Sequence, residues 1–273
     1  MTIADQFDGL LIDLDGVVWV GRDPVPGSPE ALAALIAAGK ELAFVTNNPT
    51  RRPAEYAERL AGLGVEIGAE RIVTAGMVTA RLAGEAADGG GAFVIGASTL
   101  KEMVAEAGAP VLEGEAGREA AVVVVSGHRG FDYEELLTAK LALDGGAALV
   151  ATSHDPTLPM PGGDWPGTGA ILAAVETASG RRAEIGGKPE RHLFEMALAA
   201  IDRGSFVAAS ATKEPRDSGV AMVGDRIASD VDGGRAAGLA TVLVLTGASD
   251  RAEAEAAAPG PDHVVEDLAA LLR

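Results

Sequence analysis

Asp13 and Asp15 stand one residue apart at the end of the apolar run Leu10-Leu11-Ile12, and Gly16 follows them. Side chains alternate along an extended backbone, so both carboxylates leave the strand end in the same direction. Like charges that close repel, and a folded chain tolerates them best with a cation between them. Paired aspartates also cap helices and fill exposed turns, so this stretch alone leaves a metal or catalytic site and a structural role both open. An EF-hand calcium loop is excluded, because it needs a third oxygen ligand before its glycine. Three more polar clusters follow in order: Thr46-Asn47-Asn48, Gly187-Lys188-Pro189, and Gly224-Asp225-Arg226 with Asp230 beyond it. Asn47 and Asn48 are the only asparagines in the chain. Taken singly, each cluster has a plain reading as a turn, a helix cap or an exposed charge. Lys188 at a helix start runs against the helix dipole, which favours an anionic partner there.

Their order is more informative than any one of them. Two acids, a hydroxyl with amides, a lysine and two further acids make the kit for moving a phosphoryl group onto an aspartate. A carboxylate nucleophile splits the reaction into formation and hydrolysis of an aspartyl-phosphate. Mg²⁺ prefers carboxylate and phosphate oxygens and shields an aspartate from an incoming phosphate. Lys188, Thr46 and amide N–H groups suit the equatorial oxygens, where charge gathers in the transition state. A second acid can protonate the leaving alkoxide and later activate water.

The elements that must position these residues form a strand–helix alternation. Strands are expected at 10–12, 41–45 and 71–74, with helices over 30–38, 53–63 and 77–87. That rhythm predicts a parallel sheet with right-handed crossovers, and ligands bind beyond the carboxyl ends of such strands. Asp88-Gly89-Gly90-Gly91 reads as a linker into a new α/β module. This module carries strands at 92–95, 120–125 and 147–152, helices over 99–107, 133–143 and 170–179, and a Pro/Gly-rich loop over 155–169. A helix opening at Gly187-Lys188-Pro189, strands at 219–223 and 240–245, and helices over 231–237 and 266–272 complete the chain. The expected architecture is α/β: a Rossmann-like parallel-sheet core, 1–88 and 183–273, interrupted by an α/β module, 89–182.

Composition narrows the class further. The 273 residues are 48% hydrophobic, enough to bury a sizeable core. A formal net charge of -18 repels nucleic acid and anionic membranes, so neither is an expected partner. The lack of cysteine excludes disulfides, thiolate nucleophiles and Cys-based zinc sites. With no basic leader and no long apolar stretch, the expectation is a soluble cytoplasmic protein. The four histidines show no metal-ligand spacing, and His154 beside the 155–169 loop is the one best placed to meet a substrate. Trp19 and Trp165 could wall a closed site, although ordinary packing accounts for them as well. No Gly-x-Ser-x-Gly elbow, P-loop or Gly-x-Gly-x-x-Gly fingerprint is present.

Asp13-Leu14-Asp15-Gly16-Val17, Thr46-Asn47-Asn48, Gly187-Lys188-Pro189 and Gly224-Asp225-Arg226…Asp230 resemble the four motifs of haloacid dehalogenase-like phosphatases. The likeness is to the NagD/4-nitrophenylphosphatase/phosphoglycolate phosphatase branch, and it spans nearly the whole chain. Asp155-Pro156-Thr157-Leu158-Pro159 and the segment 166–180 are similar to that branch's cap. The resemblance implies Asp13 as nucleophile and Asp15 as general acid/base, with Thr46, Asn47, Asn48 and Lys188 on phosphate. It implies Mg²⁺ held by Asp13, the Asp15 carbonyl and Asp225, and Asp230 supporting the metal's waters or Lys188 from behind. The 89–182 module would be the cap that closes over the site and selects the substrate, and caps of this branch often form homodimers. The implied reaction is hydrolysis of a small phosphorylated metabolite such as glycerol 3-phosphate or phosphoglycolate. A phosphomutase of the same superfamily and a non-enzymatic phospho-receiver or phosphate sensor are the rival readings. A dehalogenase needs neither a metal nor the second aspartate, so Asp15 and Asp225 argue against it. Two departures stand out. The 204–218 stretch is longer than the usual link into the last motif. Leu158 also stands where pyridoxal phosphatases of the branch carry a histidine, which disfavours pyridoxal phosphate.

Overall fold

Apolar runs fully buried on both faces become the central strands, as parallel sheets covered by helices require. The computed structural model describes residues 1–158, 163, 165–202 and 219–273. Its strands are β1 (Gly9–Asp13), β2 (Trp19–Val20), β3 (Asp23–Pro24), β4 (Glu41–Thr46), β5 (Ile72–Thr74), β6 (Ala92–Ile95) and β7 (Val122–Val125). They continue with β8 (Ala148–Ala151), β9 (Thr157–Leu158), β10 (Trp165–Pro166), β11 (Glu184–Ile185), β12 (Val220–Gly224), β13 (Ala240–Val244) and β14 (His263–Val265). The 204–218 stretch lies outside the described residues.

The chain divides into two units, Met1–Thr46, Pro53–Val73 and Lys188–Arg273 in one, Asn47–Arg52 and Thr74–Gly187 in the other. The first holds a six-stranded sheet in the order β14-β13-β12-β1-β4-β5, with β14 through β4 parallel. β1 lies inside this sheet, every residue of it buried, with Asp13 in register with Val45. Leu10, Ile12, Phe44, Val223 and Val242 pack with Leu32, Leu35 and Leu60 from the helices Ser28–Ala37 and Pro53–Ala61. Because β1, β4 and β12 run the same way, Asp13, Thr46 and Gly224 all fall at carboxyl ends, where an open parallel sheet leaves its crevice.

The second unit has its own parallel sheet, β11-β8-β7-β6, over a core of Ile95, Val123, Val125, Leu143 and Leu172. Within the expected 155–169 loop, β9 and β10 pair antiparallel. The helix Ala75–Ala87 groups with this unit, where Gly76 lies against Met103 and Pro49 and Thr79 donates to the Ala151 carbonyl. No helix among the described residues is long and apolar enough to cross a membrane.

Candidate active site

β1 delivers Asp13 into a buried cluster. The Leu14 N–H donates to Asp13 Oδ1 at 2.8 Å, and Lys188 Nζ lies 2.9 Å from the same oxygen. Lys188, only 2% exposed, also sits 2.7 Å from Asp230 Oδ1. Asp230 Oδ2 in turn accepts from the N–H groups of Asp225 (3.2 Å) and Arg226 (2.9 Å), which closes the turn after β12. Asp225 Oδ2 accepts from the Ala248 N–H at 2.7 Å. Its Oδ1 is buried with no hydrogen-bond partner. Carboxylate oxygens of Asp13, Asp225 and Asp230 lie within 4.8 Å of one another.

The charges do not balance by themselves. Three carboxylates against one ammonium leave two negative charges in a site nearly without water. Burial pushes the Asp13 carboxyl well above the usual range, against the attraction of Lys188 and with the repulsion of Asp230 and Asp225. Burial, then Asp230, raises Asp225 to about 6. Burial opposes the charge on Lys188, but Asp13 and Asp230 together outweigh it and hold the ammonium above its ordinary range. A hard divalent cation would balance the two excess charges and give Asp225 Oδ1 a partner. The residues present therefore fit such an ion.

Asp15 is held apart from this cluster. Its Oδ1 accepts from Trp19 Nε1 at 3.1 Å, and Thr46 Oγ1 reaches its Oδ2 at 3.4 Å. Thr46 at the end of β4 is 1% exposed, so this hydroxyl points inward. In the second unit, Asn47 Nδ2 donates to Asp155 Oδ2 at 2.9 Å, and Asn48 Oδ1 accepts from the N–H and hydroxyl of Thr50. His154 and Leu158 are exposed, and the Arg129 guanidinium lies 4.6 Å from the centre of the Trp165 ring.

The loop after β13 also serves the site, although the sequence reading did not single it out. Thr246 Oγ1 donates to the Gly16 carbonyl at 2.6 Å, and a Cβ on Gly247 would lie 1.9 Å from Asp225 Oδ2. The available signal was a Thr-Gly pair at the end of another apolar strand, the position that the Asp13, Thr46 and Asp225 clusters also occupy. Gly16 has φ +88°, and a Cβ there would lie 2.3 Å from Asp225 Oδ2. Gly16→Ala is therefore expected to cost about 1–2 kcal/mol in backbone conformation alone. It should also displace Asp225 and lower any metal-dependent turnover on the order of 100-fold. Thermal unfolding and steady-state rates measured side by side check this.

A family model for haloacid dehalogenase-like hydrolases matches residues 10–110, and a HAD-hydrolase-like model matches 185–271. Chronophin of Mus musculus is 37% identical over 286 residues, covering 99% of this chain and 94% of the mouse protein. The glycerol phosphate phosphatase of Mycobacterium tuberculosis, solved in complex with magnesium, superposes with a TM-score of 0.85 at 35% identity, over 99% of this chain and 78% of that one. The p-nitrophenyl phosphatase of Archaeoglobus fulgidus gives 0.84 at 32% identity, over 97% and 98%. The chain belongs to the haloacid dehalogenase-like hydrolases and, within them, to the NagD-like branch of phosphatases.

Proposed function

We propose that this chain is a Mg²⁺-dependent phosphatase that hydrolyses a small phosphomonoester of the glycerol phosphate type through an aspartyl-phosphate on Asp13. The observation that carries the reading is the buried Asp13–Lys188–Asp230 chain beside the unpartnered Asp225 Oδ1. The glycerol phosphate phosphatase that superposes on the chain supports the substrate class, and its complex with magnesium supports the ion.

Both donors to Asp13 reach Oδ1, so Oδ2 is the oxygen that attacks phosphorus. The bond from phosphorus to the ester oxygen breaks, and Asp15 gives its proton to the departing alkoxide. Asp15 then takes a proton from water as that water attacks phosphorus, the bond to Asp13 breaks, and inorganic phosphate leaves. Thr46, Asn47, Asn48 and Lys188 hold the phosphoryl oxygens. Lys188 stays charged throughout because Asp13 and Asp230 flank it. Asp13, Asp225 and the Asp15 carbonyl would hold Mg²⁺, which would supply charge neutralisation to the phosphate there. Asp230 supports Lys188. The 89–182 module acts as the substrate-selecting cap, and the protein works in the cytoplasm on a free metabolite.

Phosphate release from glycerol 3-phosphate, phosphoglycolate, pyridoxal phosphate, sugar phosphates and 4-nitrophenyl phosphate tests this reading. Each ester is run with Mg²⁺ and with EDTA. Turnover of a small phosphoester only with Mg²⁺ supports it; release that is indifferent to EDTA sinks it.

A pH dependence follows from the metal site. Asp225, raised to about 6, is a carboxyl whose proton competes with the ion. Without metal, this group destabilises the fold as pH rises from the ordinary carboxylate range through about 6, because its charged form is the buried one. The stabilisation conferred by Mg²⁺ should therefore shrink as pH falls through about 6, and the raised Asp13 carboxyl, the other proposed carboxylate ligand, adds to the loss in the same direction. Thermal unfolding with Mg²⁺ and with EDTA across that range reads the difference directly. A gain in Tm that does not change with pH would contradict it.

A further inference from the structure

Trp19 is completely buried four residues after Asp15, and its indole N–H donates to Asp15 Oδ1 at 3.1 Å. The ring is fixed from several sides. It stacks with Tyr56, centroids 6.2 Å apart and planes 5° from parallel. The Arg59 guanidinium carbon lies 3.8 Å from the ring centroid, and Arg59 is anchored by donating to the Gly21 carbonyl at 2.8 Å. Tyr56 and Arg59 come from one face of the helix Pro53–Ala61, while the Trp19 backbone pairs in the β2–β3 hairpin. Packing alone would bury the ring without requiring the N–H to meet the carboxylate.

We propose that Trp19 is a positioning residue that decides which oxygen of Asp15 transfers the proton, with Arg59 strengthening its hold. This rests on the reading of Asp15 as general acid. An indole N–H can donate but never accept, so Oδ1 is kept as an acceptor and the transferable proton is confined to Oδ2. Thr46 Oγ1 donates to Oδ2 at 3.4 Å, but a hydroxyl, unlike an indole N–H, can turn and accept once Oδ2 carries the proton, and Thr46 belongs to the expected phosphate contacts. A cation over the ring face draws electron density from the indole and makes its N–H a stronger donor. Without the N–H, the carboxyl is free to rotate its proton onto either oxygen.

The test is the ratio of kcat/KM for glycerol 3-phosphate to that for 4-nitrophenyl phosphate. An alkoxide needs its proton as the ester bond breaks, whereas nitrophenolate leaves unaided, and kcat/KM reports the step up to that cleavage. Asp15→Asn serves as the reference and must lower this ratio. Trp19→Phe keeps an aromatic ring but removes the donor, and it should lower the ratio about 10–50-fold. Should that variant unfold, Arg59→Leu reads the same effect from the edge of the cluster, with a fall of about 3–10-fold that Arg59→Lys reverses. A merely structural role would reduce both esters equally and leave the ratio unchanged, which overturns the proposal. If Asp15→Asn itself leaves the ratio unchanged, the acid reading of Asp15 falls, and this proposal with it. If only Asp15→Asn lowers it, that reading stands and the role of Trp19 is overturned.

Discussion

Lys188→Met is expected to reduce kcat/KM on the order of 1,000-fold and to destabilise the protein by about 3–5 kcal/mol. Methionine fills nearly the same space, so lost packing is a minor part of the effect. The charge is the larger part. Lys188 bridges Asp13 and Asp230 at 2.9 and 2.7 Å, and all three are nearly inaccessible to water. Removing the ammonium leaves two buried carboxylates facing each other with no counter-charge. For a chain of this size that loss lowers Tm by roughly 10 °C. On the proposed mechanism the activity falls further than the fold does, because the same ammonium would face the phosphoryl oxygens as their charge grows. Calorimetry together with steady-state kinetics separates the two losses. A variant with wild-type turnover and a lowered Tm would make Lys188 a structural residue alone.

Asp13→Asn should remove turnover entirely, a loss on the order of 10⁶-fold for a nucleophile in a covalent mechanism. Its fold should suffer far less. An amide keeps one oxygen for the Leu14 N–H and Lys188, and it removes one of the excess buried negative charges. Burial holds the Asp13 carboxyl well above its ordinary range, so the carboxylate is a cost that the metal-free fold carries for activity. In EDTA, Asp13→Asn should therefore unfold at or above the wild-type temperature. That pairing of no turnover with undiminished stability is the signature of a functional carboxylate, and a large fall in Tm would contradict it.

Much of this fold was legible because its central strands are short, wholly apolar runs. Leu10-Leu11-Ile12 and Val122–Val125 have no polar face to mislead the reading, and each ends at a turn residue or polar cluster. The strand-end positions of Asp13, Thr46 and Asp225 followed from that, since parallel topology puts the carboxyl ends of one sheet on one side. The smaller elements were not legible. β2 and β3 are two residues each, too short for any period, and β3 ends in a proline. The helix Arg251–Ala256 went unread, although Asp250 and Glu253 form a capping box at its start. Its six residues offered no apolar face long enough to notice. The helix expected over 266–272 is a shorter 3-10 turn, Leu268–Leu272, because Asp267 caps it by accepting from the Ala270 N–H and β14 occupies the residues before. The 231–237 helix begins earlier, as a π turn over Ile227–Val231, where Asp230 bonds back to the Asp225 and Arg226 N–H groups. Within the site, residue types and order were enough to single out Asp13, Asp225, Asp230 and Lys188, which the fold brings together. The indole N–H on Asp15 and the Gly247 approach to Asp225 depend on three-dimensional adjacency that no spacing rule encodes.

The most direct test of the account is to catch the phosphoryl group on the chain. Asp15→Asn incubated with Mg²⁺ and 4-nitrophenyl phosphate should still be phosphorylated, since nitrophenolate needs no proton, but should hydrolyse the adduct slowly. After acid quench and digestion, mass spectrometry should find one phosphoryl group on the peptide that contains Asp13, and none when Asp13→Asn is added to the variant. A phosphoryl group on any other residue, or continued turnover with Asp13 replaced, would contradict the role assigned to Asp13.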